Sequence, residues 1–334
     1  VPEVSVLMPV RDGLQTLPAA IASVQASELE SRELVAVDDG SQDGSVELLR
    51  AQVEPRIRLI EQPAEGLVAA LQVGLKACRS EFVARLDADD IMLPSRLRLQ
   101  VERLRDSPEL DLVGGGVRIE ALDAEVGPGL RHYEAWLNSL HEPGAILRDF
   151  FVESPFAHPA VCFRAATVRA LGGYRAGDFP EDYDLWLRLW EAGASFASLP
   201  EPVLRWRHRR DRLTFRDPRY RPAAFRALKQ EVLLRTRLKG LAGVGIAGAG
   251  RDGKRWAREL AARGLPVKLW LDLDPRKLGQ RIHGAPVYAY SELPTVEDRP
   301  HILVAVGVKG ARALIRAELK AQGLVELQDF SCVA

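Results

Sequence analysis

Residues 82–94 read Phe-Val-Ala-Arg-Leu-Asp-Ala-Asp-Asp-Ile-Met-Leu-Pro, an apolar run that ends in three carboxylates within four residues. The run 82–86 has the length of a buried strand. Pro94 and the Ser-Arg-Leu-Arg-Leu-Gln after it start a helix, because proline is tolerated in a first helical turn. The acids therefore stand at the carboxyl end of a strand, where an open α/β sheet takes its ligand. In extended chain Asp87 and Asp89 project to one side and could share a hard cation through oxygen ligands. Crowding like charges there without a cation costs free energy. By itself the pattern is common: Asp182-x-Asp184 and Asp272-x-Asp274 repeat it, and a solvated turn accounts for any one of them.

The surrounding chain gives that strand its setting. Residues 4–9 form a compact apolar strand, and 14–25 follow with Leu17, Ile21 and Val24 at helical spacing. A second strand, 33–38, runs into the turn-rich loop 39–44, and Ser45 is placed to cap a helix over 46–52. A third strand over 56–61 and a helix over 67–78, with Leu67, Leu71 and Leu75 on one face, lead to the acidic stretch. Strands alternating with helices predict a mixed, mostly parallel sheet sandwiched by helices. Its ligand edge collects 9–13, 38–41 and 87–90.

These residues carry a resemblance. Val-Ser-Val-Leu-Met-Pro-Val at 4–10, Val-Asp-Asp-Gly-Ser at 37–41 and Leu-Asp-Ala-Asp-Asp at 86–90 match, in order and spacing, the inverting family 2 glycosyltransferases of GT-A fold. The match continues through His-Pro-Ala-Val-Cys-Phe-Arg at 158–164, Gly-Gly-Tyr at 172–174 and Pro-Glu-Asp-Tyr-Asp-Leu-Trp-Leu-Arg at 180–188, and covers roughly 1–215. It implies transfer of a sugar from a UDP- or dTDP-sugar to a hydroxyl acceptor, a saccharide that could be lipid-linked. The departing diphosphate calls for Mn²⁺ or Mg²⁺, and oxygen ligands suit either.

By that resemblance Asp89 holds the metal, Asp87 holds the donor's ribose or supports the metal, Ala88 lies on the donor nucleotide, and Asp39 accepts from the N3–H of a pyrimidine. Asp38 and Asp39 also fit a turn that precedes a helix. Pro9, Val10 and Asp12 lie against the nucleoside, although Arg11-Asp12 stands where the family often has Tyr-Asn. Asp182 is the expected general base, which must come within about 3 Å of the acceptor hydroxyl. Glu181 and Asp184 support it, and acids there also complement the dipole of the helix they open. Gly173, with Gly172, lets backbone approach the sugar or caps the preceding helix. His208 is expected beside the metal or diphosphate. Arg205, Arg207, Arg209 and Arg210 could meet phosphate or form a solvated face. His158 reads as structural, and 118–154 resists reading.

Three segments are expected: a transferase domain over 1–221, a helical linker over 222–240 and a small Rossmann-like domain over 241–334. In the last, Gly248, Gly250 and Gly253 fit G-x-G-x-x-G after a strand, and Asp272 stands where an acid could bind a ribose. The module could bind a nucleotide, pack on the transferase, join two copies into a homodimer or dock a partner. Lys plus Arg and Asp plus Glu balance at 46 each, so charge gives no reason to expect a nucleic-acid partner. The longest apolar runs are of strand length, which predicts no transmembrane segment. Three scattered cysteines fit neither a disulfide framework nor a zinc site, so a cytoplasmic place, or a peripheral one at the inner face of a membrane, is expected. Two other readings are a nucleotidyltransferase on a similar sheet and a nucleotide-sensing scaffold acting through the C-terminal module.

Overall fold

The computed structural model describes residues 1–293, 300–308 and 310–334. It forms two units, Val1–Ile146 with Pro155–Phe225, and Leu147–Ser154 with Arg226–Ala334. The first holds a mixed sheet of β1 (Val4–Val10), β2 (Arg32–Asp39), β3 (Ile57–Gln62), β4 (Phe82–Arg85), β5 (Ile91–Met92), β6 (Leu110–Ala121), β7 (Cys162–Arg164) and β8 (Ser195–His208). Their order is β3-β2-β1-β4-β7-β6-β8-β5. The first four are parallel, β7 runs against both neighbours, β8 is parallel to β6, and β5 is antiparallel at the edge. β1 and β2 are buried throughout, as strands covered on both faces are, and accordingly show no polar alternation.

Helices α1 (Leu17–Gln25), α2 (Ser45–Arg50), α3 (Leu67–Ala77) and α4 (Arg96–Asp106) connect the parallel strands and their edge. α3 packs close to the sheet because it carries Gly74, where a Cβ would stand 2.1 Å from Leu7 Cδ1. The start of α4 is fixed by a fully buried arginine. Arg96 donates to the carbonyls of Pro159 (2.7 Å), Arg85 (2.7 Å) and Val161 (3.1 Å), so the end of β4 and the turn at 158–161 are tied to one side chain. Ser45 does not cap α2. Its N–H and hydroxyl instead donate to Asp43 Oδ1, and its Oγ accepts from Gly13 N.

The stretch 118–154 resolves into the end of β6 and helices α5 (Pro128–Asn138) and α6 (Pro143–Asp149). The fold of this unit is completed by α7 (Ala165–Ala170), α8 (Glu181–Glu191) and the single turn α9 (Leu213–Arg216).

The second unit takes in α10 (Pro222–Arg235) from Arg226 onward, and so most of the expected linker over 222–240 together with the domain expected from 241. It contains β9 (Val244–Ala247), β10 (Val267–Leu271), β11 (Arg281–Ile282), β12 (Ala285–Tyr288), β13 (Ile302–Val304) and β14 (Phe330–Cys332), with α11 (Arg251–Ala261) and α12 (Ala311–Ala321). The order is β11-β12-β10-β9-β13-β14, parallel except for the β11–β12 hairpin. Residues 147–154 belong to this unit: Val152 joins its core with Leu271, Ile302 and Phe330. Lys229 Nζ donates to Val152 O at 2.6 Å, and Arg316 Nη2 meets Asp149 Oδ1 at 2.5 Å. Among the described residues no helix is long and apolar enough to cross a membrane.

Candidate active site

Three carboxylates gather where β4 ends. Asp87, Asp89 and Asp90 each bring an oxygen within 4.8 Å of the others. Asp87 is held from behind by Arg85, a buried residue of β4 whose Nη1 lies 2.5 Å from Asp87 Oδ1. Asp90 is buried. Its Oδ1 accepts from the backbone N–H of Arg207 on β8 at 2.8 Å, and its Oδ2 has no hydrogen-bond partner. β5 pairs with β8 through Ile91–Arg205 and Met92–Leu204, so the acidic loop is pinned on both sides. Arg207 Nε closes it by donating to Asp89 O. Burial, and then the charge of Asp87, push the Asp89 carboxyl above its ordinary range; burial and the charges of Asp89 and Asp87 do so more strongly for Asp90. Oxygen-only donors, mutual repulsion and an orphaned buried oxygen fit a divalent cation.

The neighbouring loops are laced together. Asp12, in the left-handed region at φ 48°, accepts from Gln42 N at 2.8 Å and donates its own N–H to Ser41 Oγ at 2.9 Å. Asp39 is buried and holds the approach to α3, accepting from Gln62 Nε2 (2.8 Å), Glu65 N (2.9 Å), Gly66 N (3.0 Å) and the exposed Arg11 Nη1 (3.2 Å). Asp38 Oδ2 makes the turn to Ser41 N at 3.0 Å, while Oδ1 is buried without a partner. Both acids therefore build the turn, and Asp38 keeps an unused acceptor. Pro9 and Val10 lie in β1 opposite Val37 and Asp38. A Cβ on Gly13 would stand 3.7 Å from that of Ala88, which places the first loop beside the acidic one.

The acidic pair opens α8. Glu181 is buried, accepts from the Tyr220 hydroxyl at 2.6 Å, and lies 3.8 Å from His158 Nδ1. His158 Nε2 pairs with the Tyr174 hydroxyl at 2.9 Å, and burial, then the Arg85 charge, hold the ring neutral. Asp182 Oδ1 accepts from the N–H of Tyr183 at 2.7 Å. Burial and then the Glu181 charge push the Asp182 carboxyl up to about 7, with Arg85 acting in the opposite direction. Arg85 thus exerts its charge on Asp87 and Asp89 on one side and on Glu181 and Asp182 on the other.

Gly172 and Gly173 end α7. Their N–H groups bond Arg169 O and Val168 O, each at 2.9 Å, both residues have positive φ, and the pattern is that of a Schellman cap. Asp184 binds Arg175 and Arg188, and Arg188 donates in turn to Leu171 O (3.0 Å) and Gly173 O (2.6 Å), so Asp184 orders this turn. His208 is buried at the end of β8 with Nδ1 unpartnered, and its ring stands edge-on to Phe215 at 5.7 Å. Its nitrogens do not join the group of three carboxylates.

Residues 5–170 match the model of glycosyl transferase family 2. The amylovoran biosynthesis glycosyltransferase AmsE of Erwinia amylovora is 32% identical over 196 residues, 58% of this chain and 71% of that protein. The chain belongs to glycosyl transferase family 2. An Escherichia coli family relative named as a UDP-Gal:α-D-GlcNAc-diphosphoundecaprenol β-1,3-galactosyltransferase is 27% identical over 192 residues, 56% of this chain and 67% of that one. In fold the chain is similar to S. aureus TarS 1–349 in complex with UDP-GlcNAc, with TM-score 0.55 and 14% identity over 72% of this chain and 68% of that one.

Several features of this glycosyltransferase's site escape a reading by motif: the contacts of Arg85, Tyr174 and Tyr220 and the orphaned oxygen of Asp38. Arg85 left one signal, a full charge inside an otherwise apolar strand. Tyr174 stands in the Gly-Gly-Tyr motif without any sign of its His158 partner, and Tyr220 left no signal, because its partner Glu181 is distant in sequence.

In the second unit the glycine loop is closed upon itself. Gly253 lies in the first turn of α11, where a Cβ would stand 1.9 Å from Gly248 O, and Gly250 precedes that helix. Asp272 accepts from Ala249 N, Asp274 N and Lys277 Nζ, each at 2.8 Å. Burial alone would raise its carboxyl, but these donors hold it below the usual range. Both its oxygens are thus engaged by the protein.

Proposed function

We propose that this glycosyltransferase catalyses metal-dependent, inverting transfer of a sugar from a UDP- or dTDP-sugar to a hydroxyl acceptor in the assembly of a polysaccharide or glycoconjugate. The observation that carries the reading is the group of three carboxylates at the end of β4, each offering an oxygen within 4.8 Å of the others, with the buried Arg85 of that strand 2.5 Å from Asp87. Asp89 and Asp87, with Asp90 behind them, would hold Mn²⁺ or Mg²⁺. When bound, the cation offsets charge developing on the diphosphate oxygens of the leaving group. The unused acceptor of Asp38 and the Asp39 carboxylate face a pyrimidine N3–H, with Arg11 displaced from Asp39 as the base enters. Asp182 takes the proton from the acceptor hydroxyl as that oxygen attacks the anomeric carbon in line. A carboxyl near 7 is a far better base for an alcohol than one near 4. The names of AmsE and of the E. coli relative support polysaccharide assembly and a lipid-linked acceptor.

The test is calorimetric titration of the intact chain with UDP, dTDP, GDP and NAD, each with Mn²⁺ or with EDTA, followed by product analysis. Metal-dependent binding of a pyrimidine diphosphate, and release of nucleoside diphosphate with inverted anomeric configuration, are expected. Release of pyrophosphate would indicate nucleotidyl transfer instead, and metal-independent binding of NAD alone would move the activity to the second unit.

A further inference from the structure

The stretch 207–221, Arg-His-Arg-Arg-Asp-Arg-Leu-Thr-Phe-Arg-Asp-Pro-Arg-Tyr-Arg, holds seven arginines against two aspartates in a chain whose charges balance as a whole. Four arginines are occupied. Arg207 bonds the acidic loop, Arg209 pairs with Asp211 at 2.9 Å, Arg219 with Asp217 at 2.7 Å, and Arg212 lies over the Trp206 ring at 4.5 Å. Arg210, Arg216 and Arg221 are exposed. Between them α9 buries nothing: Leu213 is 43% and Phe215 59% exposed.

Both ends of this strap are fastened in the candidate site. At one end His208 leaves β8 with its ring against Phe215; at the other the Tyr220 hydroxyl holds Glu181. The crest is therefore presented between two fastened ends, with cations flanking two apolar side chains. A single exposed leucine or phenylalanine needs no explanation. Two on one helical turn, bracketed by three exposed arginines, suit a surface that offers anionic headgroups over an apolar layer.

We propose that the strap 209–221 docks this glycosyltransferase on an anionic lipid bilayer, with Leu213 and Phe215 entering the interface and Arg210, Arg216 and Arg221 meeting the headgroups. The docking element then borders the acidic pair, so an acceptor carried on a lipid would be delivered at the site's edge. That consequence rests on the transferase reading, whereas the docking does not.

The experiment is co-sedimentation of the intact chain with vesicles of phosphatidylglycerol and phosphatidylcholine, and with phosphatidylcholine alone, at physiological ionic strength. Partition to the mixed vesicles and not to the neutral ones is expected. At about fivefold for each arginine, combined Arg210→Gln, Arg216→Gln and Arg221→Gln weakens partition roughly a hundredfold. Leu213→Ser with Phe215→Ser weakens it by at least about tenfold. Should that pair misfold, Phe215→Trp gives a second readout, a blue shift of its emission on mixed vesicles. Absence of partition, equal partition to neutral vesicles, an undiminished arginine variant or an unshifted tryptophan would each overturn the proposal. So would displacement by inorganic pyrophosphate, which would make the patch a diphosphate site, or binding of RNA in place of vesicles. No turnover is needed, so failure here and failure of the transferase reading are read separately.

Discussion

A guanidinium inside a parallel strand is tolerable only where its charge is met, and breaking such a buried pair costs about 3–5 kcal/mol. Arg85 meets Asp87 at 2.5 Å and acts on Asp182 through space. Arg85→Met should therefore destabilise the fold by about that amount in urea titrations. Loss of the cation also raises the Asp182 carboxyl, so the acid limb of kcat/KM should move to higher pH; Arg85→Lys should restore much of both. Asp182 carries its own signature. An exposed aspartate titrates near 4, whereas this one is pushed up to about 7 by burial and Glu181. Stability from the protonated form is full below the lower value and lost as pH rises through the upper one. Asp182→Asn should accordingly raise the melting temperature at pH 8 and barely change it at pH 4. It should lower turnover about 10²–10⁴-fold while leaving donor binding intact in calorimetry. The acids of this site were legible because they stand in short ordered motifs. The Tyr220 contact and the Arg85 bridge were not, because proximity across 39 residues, as between Glu181 and Tyr220, leaves no mark in local sequence.

Among the elements, the parallel strands were legible from their apolar runs, while β5 and much of β6 and β8 were not. β5 has two residues and exists because β8 pairs with it. β8 carries Pro200 and Pro202, and the β6–β8 register shifts around Gly115 and Gly116. Irregular pairing of this kind erases the alternation from which a strand is recognised. The glycine pair at 172 and 173 was open between two roles; the structure gives it a helix cap, with Gln72 of α3 donating to Gly172 O at 2.8 Å. α3 itself depends on close approach. At Gly74 a methyl group would stand 2.1 Å from Leu7 Cδ1 and 2.9 Å from Val37 Cγ2, both side chains of buried central strands. Gly74→Ala should gain helix propensity yet lose more to overpacking, for a net loss of about 1–3 kcal/mol in equilibrium urea unfolding.

For the whole molecule, the instructive segment is 147–154, which sequence order assigns to the transferase and the fold assigns to the second unit. Nothing local announces this: Arg-Asp-Phe-Phe-Val-Glu at 148–153 reads as any amphipathic piece, and its partners come from 226–334. Val152 sits in the core with Leu271, Ile302 and Phe330; Asp149 is met by Arg316 at 2.5 Å and by Arg312 at 3.6 Å; Lys229 binds Val152 O. A fragment ending at Lys239 keeps the last of these contacts and loses the rest. Phe150 and Phe151, both buried, stand in the same segment. Burying a phenylalanine or valine side chain is worth about 1.5–3 kcal/mol, and a net stability of about 5–15 kcal/mol cannot absorb several such losses. Limited proteolysis of the 1–239 fragment should therefore cut within 147–154 under conditions that spare the intact chain, and the fragment should melt at lower temperature. Equal resistance of fragment and intact chain would mean that 1–239 hold the segment without the strands and helices that follow.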